Sequence, residues 1–260
     1  MFDSIRFLGT SDGLPTADRC HASVLVKLGG HTILLDCGEP CSHTLKALGM
    51  DFNALDAVFI THLHSDHIAG LPMLLQSLWL EQRTRPLPVW MPRRAIRPFR
   101  TWLRHCLLDE QVFPYRIHWN AITATTPATV GQLRVQAYRN THLDAIRARY
   151  ARRHSEISFD AYSFLITAGG KRIVYSGDIG AAGDLVPLLR EPVDALITEL
   201  AHSSPEAVFA VLAGRKIRQV LFTHVGRAVR ARQKSIARQA RPLLRPSRVQ
   251  FVADGDVVKL

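Results

Sequence analysis

The chain lacks several features that would have decided its class at once. It has no uninterrupted apolar run of the roughly 20 residues that a bilayer-spanning helix needs, and its mean hydropathy is only +0.02. That excludes a helical integral membrane protein. The opening MFDSIRFLG has no basic segment leading into an apolar stretch and a cleavage site, so no signal peptide is expected and the expected compartment is the cytoplasm. There is no CxxC pair among the four cysteines, Cys20, Cys37, Cys41 and Cys106. They are expected as free thiols, and Cys37 with Cys41 has no second pair to complete a metal site. Acid is scarce: 22 Asp and Glu stand against 33 Lys and Arg, a net charge of +11. From Arg83 to Arg104 every charge is an arginine, and from Arg227 to Arg248 the basic residues again go unopposed. Such a surface draws phosphates, anionic metabolites or nucleic acid at long range. For any single arginine a solvated face remains the simpler account.

What is present is a chain of 260 residues, 47% hydrophobic, without a long linker, exact repeat or low-complexity tract. It reads as one compact domain over 1–260. Apolar runs predict strands at IRFLG, SVLVKLG, TILLDCG and AVFIT, then at PLPVWMP, LRVQAY, YSFLITA and RIVYSGD, with AGGK as a hairpin turn. VDALITEL and IRQVLFTH are further strands. Helices are expected at 40–49, 69–82 and 205–214, through RAIRPFRTWLRHCLL with a break at Pro98, and through GRAVRARQKSIARQARPLL as one unit. VQFVADGDVVKL is expected to close the chain as a hairpin around Asp254 and Gly255. Strands interleaved with helices point to a layered α/β or α+β architecture.

One stretch stands out. THLHSDH places His62, His64, Asp66 and His67 on the turn between the strand AVFIT and the next helix. A lone histidine is usually a packed or solvated side chain. Three with an aspartate in the pattern HxHxDH form a ligand set, because imidazole nitrogens and carboxylate oxygens are the natural donors for Zn²⁺ and similar ions. Asp178 after RIVYS and His224 after QVLFT are likewise polar residues delivered at the ends of apolar strands, where α/β-type folds place their sites.

THLHSDHIAGLP resembles the signature of the metallo-β-lactamase superfamily, and the resemblance covers most of the chain. It implies a four-layer αββα sandwich and a two-metal centre. In it His62, His64 and His142 (from NTHLD) would hold one ion. Asp66, His67 and His224 would hold the other, and Asp178 would bridge them. Asp36 of LLDCGE would support the site without ligating. The superfamily's di-iron branch usually carries Glu at the second position of the motif. His64 stands there, which favours two divalent ions of the zinc type, with manganese as the alternative, and hydrolysis over oxygen chemistry.

FLGTSDGLPTADRC, LLDCGEP and HSDHIAGLPMLL are similar to the ribonuclease Z group and related cyclic-phosphate phosphodiesterases. This implies an anionic phosphoester substrate, nucleic acid among them, attacked by a hydroxide held between the metals, and a homodimer as in many relatives. The chain departs from that group in three places. TELAHS replaces HEATF, keeping Glu199 but moving the histidine to His202, which becomes the candidate general acid with Glu199 as its partner. The interval from His142 to Asp178 is too short for a tRNA-gripping arm. HVGRAV replaces HFSxRY. The candidate catalytic residues are therefore Asp66, His202 and Glu199. The segments 81–120, with Trp90, Trp102 and Trp119, and 147–156 are candidates to cap the site, and His21 is a candidate to face it. His154 is expected at the surface. A thioester or lactone hydrolase using the same metals is the rival enzyme. A metal-stabilised nucleic-acid-binding protein without catalysis is the rival from another class.

Overall fold

The computed structural model describes residues 2–14 and 16–260; Pro15 of the opening Gly-Leu-Pro lies outside them. The first half of the chain forms β1 (Ser4–Gly9), β2 (Ser23–Leu28), β3 (His31–Leu35), β4 (Ala57–Phe59), β5 (Leu87–Met91) and β6 (Ile117–Ala121). The second forms β7 (Ala128–Val130), β8 (Leu133–Arg139), β9 (Tyr162–Ala168), β10 (Lys171–Tyr175), β11 (Val193–Leu200), β12 (Ile217–Val225) and β13 (Arg248–Phe251), and β14 (Val257–Lys259) ends the chain. They make two seven-stranded sheets, ordered β14-β1-β2-β3-β4-β5-β6 and β13-β12-β11-β10-β9-β8-β7. Hairpins join neighbours where glycine pairs allow positive φ, as at Gly29–Gly30 and Gly169–Gly170. β4 to β6 and β11 to β13 pair in parallel through helical crossovers.

The helices are α1 (Cys41–Ala47), α2 (Ser65–Ile68), α3 (Leu71–Leu80), α4 (Ile96–His105), α5 (Asp144–Tyr150), α6 (Pro205–Leu212), α7 (Arg227–Ala231) and α8 (Gln233–Leu243). One core lies between the sheets and joins Ile5, Phe7, Val26 and Phe59 to Val135, Phe164 and Ile197. A second packs the outer face of the first sheet, through Leu34 and Val58, against Leu45, Leu74, Leu78 and Phe99. A third packs Val174, Leu196 and Phe222 against Leu185, Phe209 and Ile236. The layers are thus αββα. The outer layer of the first sheet also buries Arg83 completely. Its guanidinium donates to the carbonyls of Phe52, Leu55, Arg85 and Pro86, tying the turn before β4 to the start of β5. Among the described residues no helix is long and apolar enough to cross a membrane.

Four local expectations are corrected. The chain's end is no hairpin: β13 pairs with β12 and β14 with β1, so Asp254 and Gly255 carry the chain from one sheet to the other. Pro98 does not break α4, because it sits in the first turn, where no backbone N–H has an intrahelical partner to lose. The last long helix divides at Arg232 into α7 and α8. The helix expected over 69–82 begins at Leu71. Gly70 ends α2 before it: its N–H donates to the Cys37 carbonyl at 2.9 Å, and a Cβ there would lie 2.5 Å from the Gly38 oxygen.

Candidate metal centre

All the strand ends that matter open on one edge of the sandwich. β4 leads through Thr61 into His62, and His64 stands at the N-cap of α2 in extended conformation. Asp66 and His67 occupy the first turn of α2. From the second sheet come His142 after β8, Asp178 after β10 and His224 on β12. The β11–β12 register slips between Glu199 and Leu200, which face Thr223 and Val225. His224 is the extra residue of that bulge and takes φ +47°. A bulge re-aims one side chain out of the ladder, and a left-handed histidine costs of order 1 kcal/mol. Here both turn the imidazole towards Asp178.

The donor atoms fall into two groups. His62, His64, His142 and Asp178 form one; Asp66, His67, Asp178 and His224 form the other; within each, one atom per residue lies within 4.8 Å of all the rest. Asp178 belongs to both, with one oxygen for each. Its Oδ2 lies 3.8 Å from His62 Nε2 and 3.7 Å from His142 Nε2, and its Oδ1 lies 3.3 Å from both His67 Nε2 and His224 Nε2. Asp66 Oδ2 stands 3.4 Å from His67 Nε2 and 3.7 Å from His224 Nε2.

The residues fit a cation in a further respect. His62 Nε2, His67 Nε2, His224 Nε2 and Asp178 Oδ1 are buried without hydrogen-bond partners. Buried polar atoms are rarely left so, and four convergent ones call for an ion. The electrostatics agree. Burial pushes His62 well below the ordinary histidine range, lowers His64, and brings His142 to about 4, so these rings are neutral donors at pH 7. Burial also opposes charge on His67 and His224, but Asp178 outweighs it, aided at His67 by Asp36, and raises both. Burial would raise Asp66, yet the adjoining His67, with His224, brings it to about 2.

A supporting layer holds these donors. Asp36, fully buried with φ +57°, accepts from the Thr61 N–H at 2.7 Å, Tyr175 Oη at 2.8 Å and His67 Nδ1 at 2.7 Å. The last bond leaves His67 Nε2 free to face a cation. Asn140 accepts from the His142 N–H and donates to the Asp178 carbonyl at 2.9 Å. It was not singled out in the sequence; its only signal was its place in NTHLD. Gly38 lies so near α2 that a Cβ would come within 2.2 Å of the Asp66 carbonyl oxygen.

His202 stands at the rim. Its Nδ1 lies 3.2 Å from Glu199 Oε1 and 3.7 Å from Asp178 Oδ2, and its ring centroid is 4.6 Å from that of His142. The hydrogen bond to Glu199 is the chief cause of its raised pKa. Glu199 is fully buried, and its carboxylate also accepts from the backbone of Ile179, Ala201 and His202. It faces His202 and not the open cleft. Thr198, in the place of the expected motif's histidine, is buried with its hydroxyl unpartnered.

Other candidates lie elsewhere. His21 packs on Gly38 and joins neither donor group. Cys37 and Cys41 are buried free thiols outside both groups, and His154 pairs with Glu156 at the surface. Trp90 stacks on Phe59 in the core and Trp119 donates to Glu110, whereas Trp102 is half exposed. The two segments expected as caps meet each other: Arg94 donates to the Ser155 carbonyl at 2.6 Å. With Leu63, Ser65 and Ile68 they line a cavity of about 450 Å³ beside α2.

Comparison with known proteins places this geometry. The family model for the anti-Pycsar protein Apyc1 matches residues 4–217. A ribonuclease Z of Gemmatimonas aurantiaca is 27% identical over 98% of this chain and 95% of its own length. The metallo-β-lactamase fold protein YhfI from Bacillus subtilis superposes with a TM-score of 0.79 at 19% identity, over all of both chains. Human tRNase Z, short form, does so with a TM-score of 0.72 at 22% identity, over 98% of each.

Proposed function

Since the chain belongs to the family of the anti-Pycsar protein Apyc1, within the metallo-β-lactamase superfamily and close to its ribonuclease Z branch, we propose that this metal-dependent hydrolase is a dinuclear phosphodiesterase. Its substrate is a phosphodiester of a nucleotide, a nucleic acid or a small metabolite. The observation that carries the reading is Asp178, whose two oxygens face separate donor groups. His62, His64 and His142 would hold one ion and Asp66, His67 and His224 the other, with Asp178 contributing to both. Neutral imidazoles with two carboxylates suit zinc, with manganese second. Two such ions supply a water of lowered pKa and neutralise charge on the phosphoryl oxygens.

The chain's own residues do the rest. Glu199 holds His202 Nδ1, which leaves Nε2 to give a proton to the leaving oxygen. Asp66, whose carboxylate lies 3.4 Å from a Cβ placed on Gly13, would accept the proton that water loses. The net charge of +11 suits a phosphodiester and would serve a lactone or thioester poorly. The interval between His142 and Asp178 holds only α5 and β9–β10 with their turns, without a long arm, which favours a nucleotide-sized diester over tRNA. A homodimer belongs to this proposal and is read by light scattering.

The test is metal content per chain with turnover of bis(p-nitrophenyl) phosphate on the same sample. Two ions with turnover is the expected result. Asp178→Ala should lose both. His202→Ala should keep the metal and nearly all turnover of bis(p-nitrophenyl) phosphate, whose leaving group needs no proton, but lose about 10²–10⁴-fold in rate on a diester that expels an alkoxide. Full activity in Asp178→Ala rejects the dinuclear reading, and two ions without turnover move the assignment to thioesters and lactones.

A further inference from the structure

The edge of the sandwich opposite the donor groups holds a further cavity. The parallel strands β11 and β12 begin there, at Val193 and Ile217, and run towards the metal edge. The span from Ile217 to His224 is roughly 23 Å at a strand's rise per residue. Four connections surround a volume of about 670 Å³: the β9–β10 turn, the lead into β11, the α6–β12 turn and the α8–β13 turn. That volume lies within the range of small-molecule sites.

Arg172, Arg215, Lys216, Arg218 and Arg245 line it, against one carboxylate, Asp194. Asp194 is already engaged. Its Oδ2 accepts the Arg172 N–H at 2.9 Å, and its Oδ1 stands 3.5 Å from both Arg218 Nε and Lys171 Nζ. Arg172 also meets the exposed Glu191 at 3.2 Å, a pair that water screens, while its own Nε is buried without a hydrogen-bond partner. Arg215 is held only through Nε, which donates to the Val211 carbonyl at 3.4 Å. Lys216 and Arg245 are exposed, and among the described residues their side chains have neither an acidic partner nor a hydrogen bond. A concavity lined by one sign of charge concentrates the opposite ion.

The donor types select among anions. Guanidinium forks take phosphate oxygens two at a time, and lysine adds a point charge. Four arginines and a lysine exceed what one phosphate can engage. A single-stranded nucleic acid would call for aromatic rings on which its bases stack. The described residues around this cavity include none, and its apolar atoms come from Pro192, Pro246, Val193 and Ile217. We propose that the cavity binds a small soluble anion carrying two or more linked phosphates, held by Arg215, Lys216 and Arg245, at a site separate from the metal centre. Its occupant ties together the leads into β11, β12 and β13 from the side the metals do not reach. The site needs no metal and is independent of the reaction proposed above.

The test titrates inorganic triphosphate into the metal-replete protein by calorimetry at about 0.15 M salt, where the field of distant exposed charges is screened beyond about 8 Å. Triphosphate can also meet the metals, so its inhibition of bis(p-nitrophenyl) phosphate turnover is followed on the same samples. The parent should bind one triphosphate per chain beyond any that inhibits. Lys216→Ala with Arg245→Ala should weaken that binding at least about tenfold and leave inhibition unchanged. Arg238→Ala with Arg241→Ala removes the same charge from exposed positions of α8 outside the cavity and should leave both unchanged. Equal binding by the parent and the first double variant, or an equal loss in the second, overturns the site. Inhibition lost in step with binding would mean that the anion sits at the metals and that the cavity is no separate site. Tighter binding of a single-stranded oligonucleotide than of triphosphate, lost in the first double variant, would overturn the choice of ligand and give the face to nucleic acid.

Discussion

Asp36 is no candidate ligand itself but reaches two ligand rings, His67 directly and His62 by way of the Thr61 hydroxyl, so its removal should be felt at the metal. In Asp36→Ala, His67 loses the acceptor that holds its Nδ1 at 2.7 Å, and Thr61 and Tyr175 lose theirs at 2.7 and 2.8 Å. Loss of such an orienting partner typically lowers metal affinity about 10–100-fold, which is about 1.4–2.7 kcal/mol. A second cost falls on the fold. Each buried donor left unpaired costs about 1–3 kcal/mol, although Thr61 and Tyr175 relax together, so the sum is an upper bound. Asp36→Asn separates the two. It keeps the volume, but its one carbonyl oxygen can serve either His67 Nδ1 and Tyr175 Oη, which share Oδ2, or the Thr61 N–H on Oδ1, and its amide faces the other side, so it should fold and bind metal about tenfold more weakly. The assay is competition with a chelator of known affinity, followed by the metal's effect on thermal unfolding. If folded Asp36→Asn and Asp36→Ala both held metal as tightly as the parent, the supporting role argued from these distances would be wrong.

Three further outcomes follow from the same contacts. Arg83→Leu removes the donor to four carbonyls and should cost about 3–5 kcal/mol in urea unfolding, despite relieving a buried charge. Gly38→Ala forces a methyl to within 2.2 Å of the Asp66 oxygen. It should destabilise the protein by about 1–3 kcal/mol and reduce bound metal, measured by unfolding and elemental analysis. Stripping the metal should lower Tm, and zinc should raise it again with the logarithm of its concentration, because an ion that binds only the assembled donors stabilises the folded state by mass action.

The strands and the first ligand cluster were legible in the sequence because each is local. AVFIT is a buried run, and HxHxDH crowds its donors into one turn. VDALITEL coincides with β11 to the residue. What escaped was set by tertiary contact. IHWNA reads as polar, yet it is β6, an edge strand half covered by α4. The final segment has a good hairpin turn, but each of its strands finds a free edge on a different sheet. Residues 182–189 carry Pro187 and still coil as a 3₁₀ helix, because Leu185, Leu188 and Leu189 are buried against the second sheet. At the site, the positions of His142, Asp178 and His224 came from family resemblance; spacing alone gave only that the last two end strands. Asn140 and Tyr175 act through other residues, and nothing in their local sequence marks them.

The way the donors divide shows what the crowded motif is for. His62 and His64 go to one group, Asp66 and His67 to the other, so four neighbouring residues never close a site among themselves. The first turn of α2 makes this split, sending side chains two residues apart to opposite sides of Asp178. Each group is then completed only from the second sheet, by His142 or by His224, with Asp178 in common. The two sheets must therefore be docked before either group has its full set of donors, and in the proposed centre an ion held there would resist their separation. A centre built from one sheet could bind metal in a partly folded chain and stabilise the wrong state. One shared across the sandwich rewards only the fold in which His202 and its cleft are also in place.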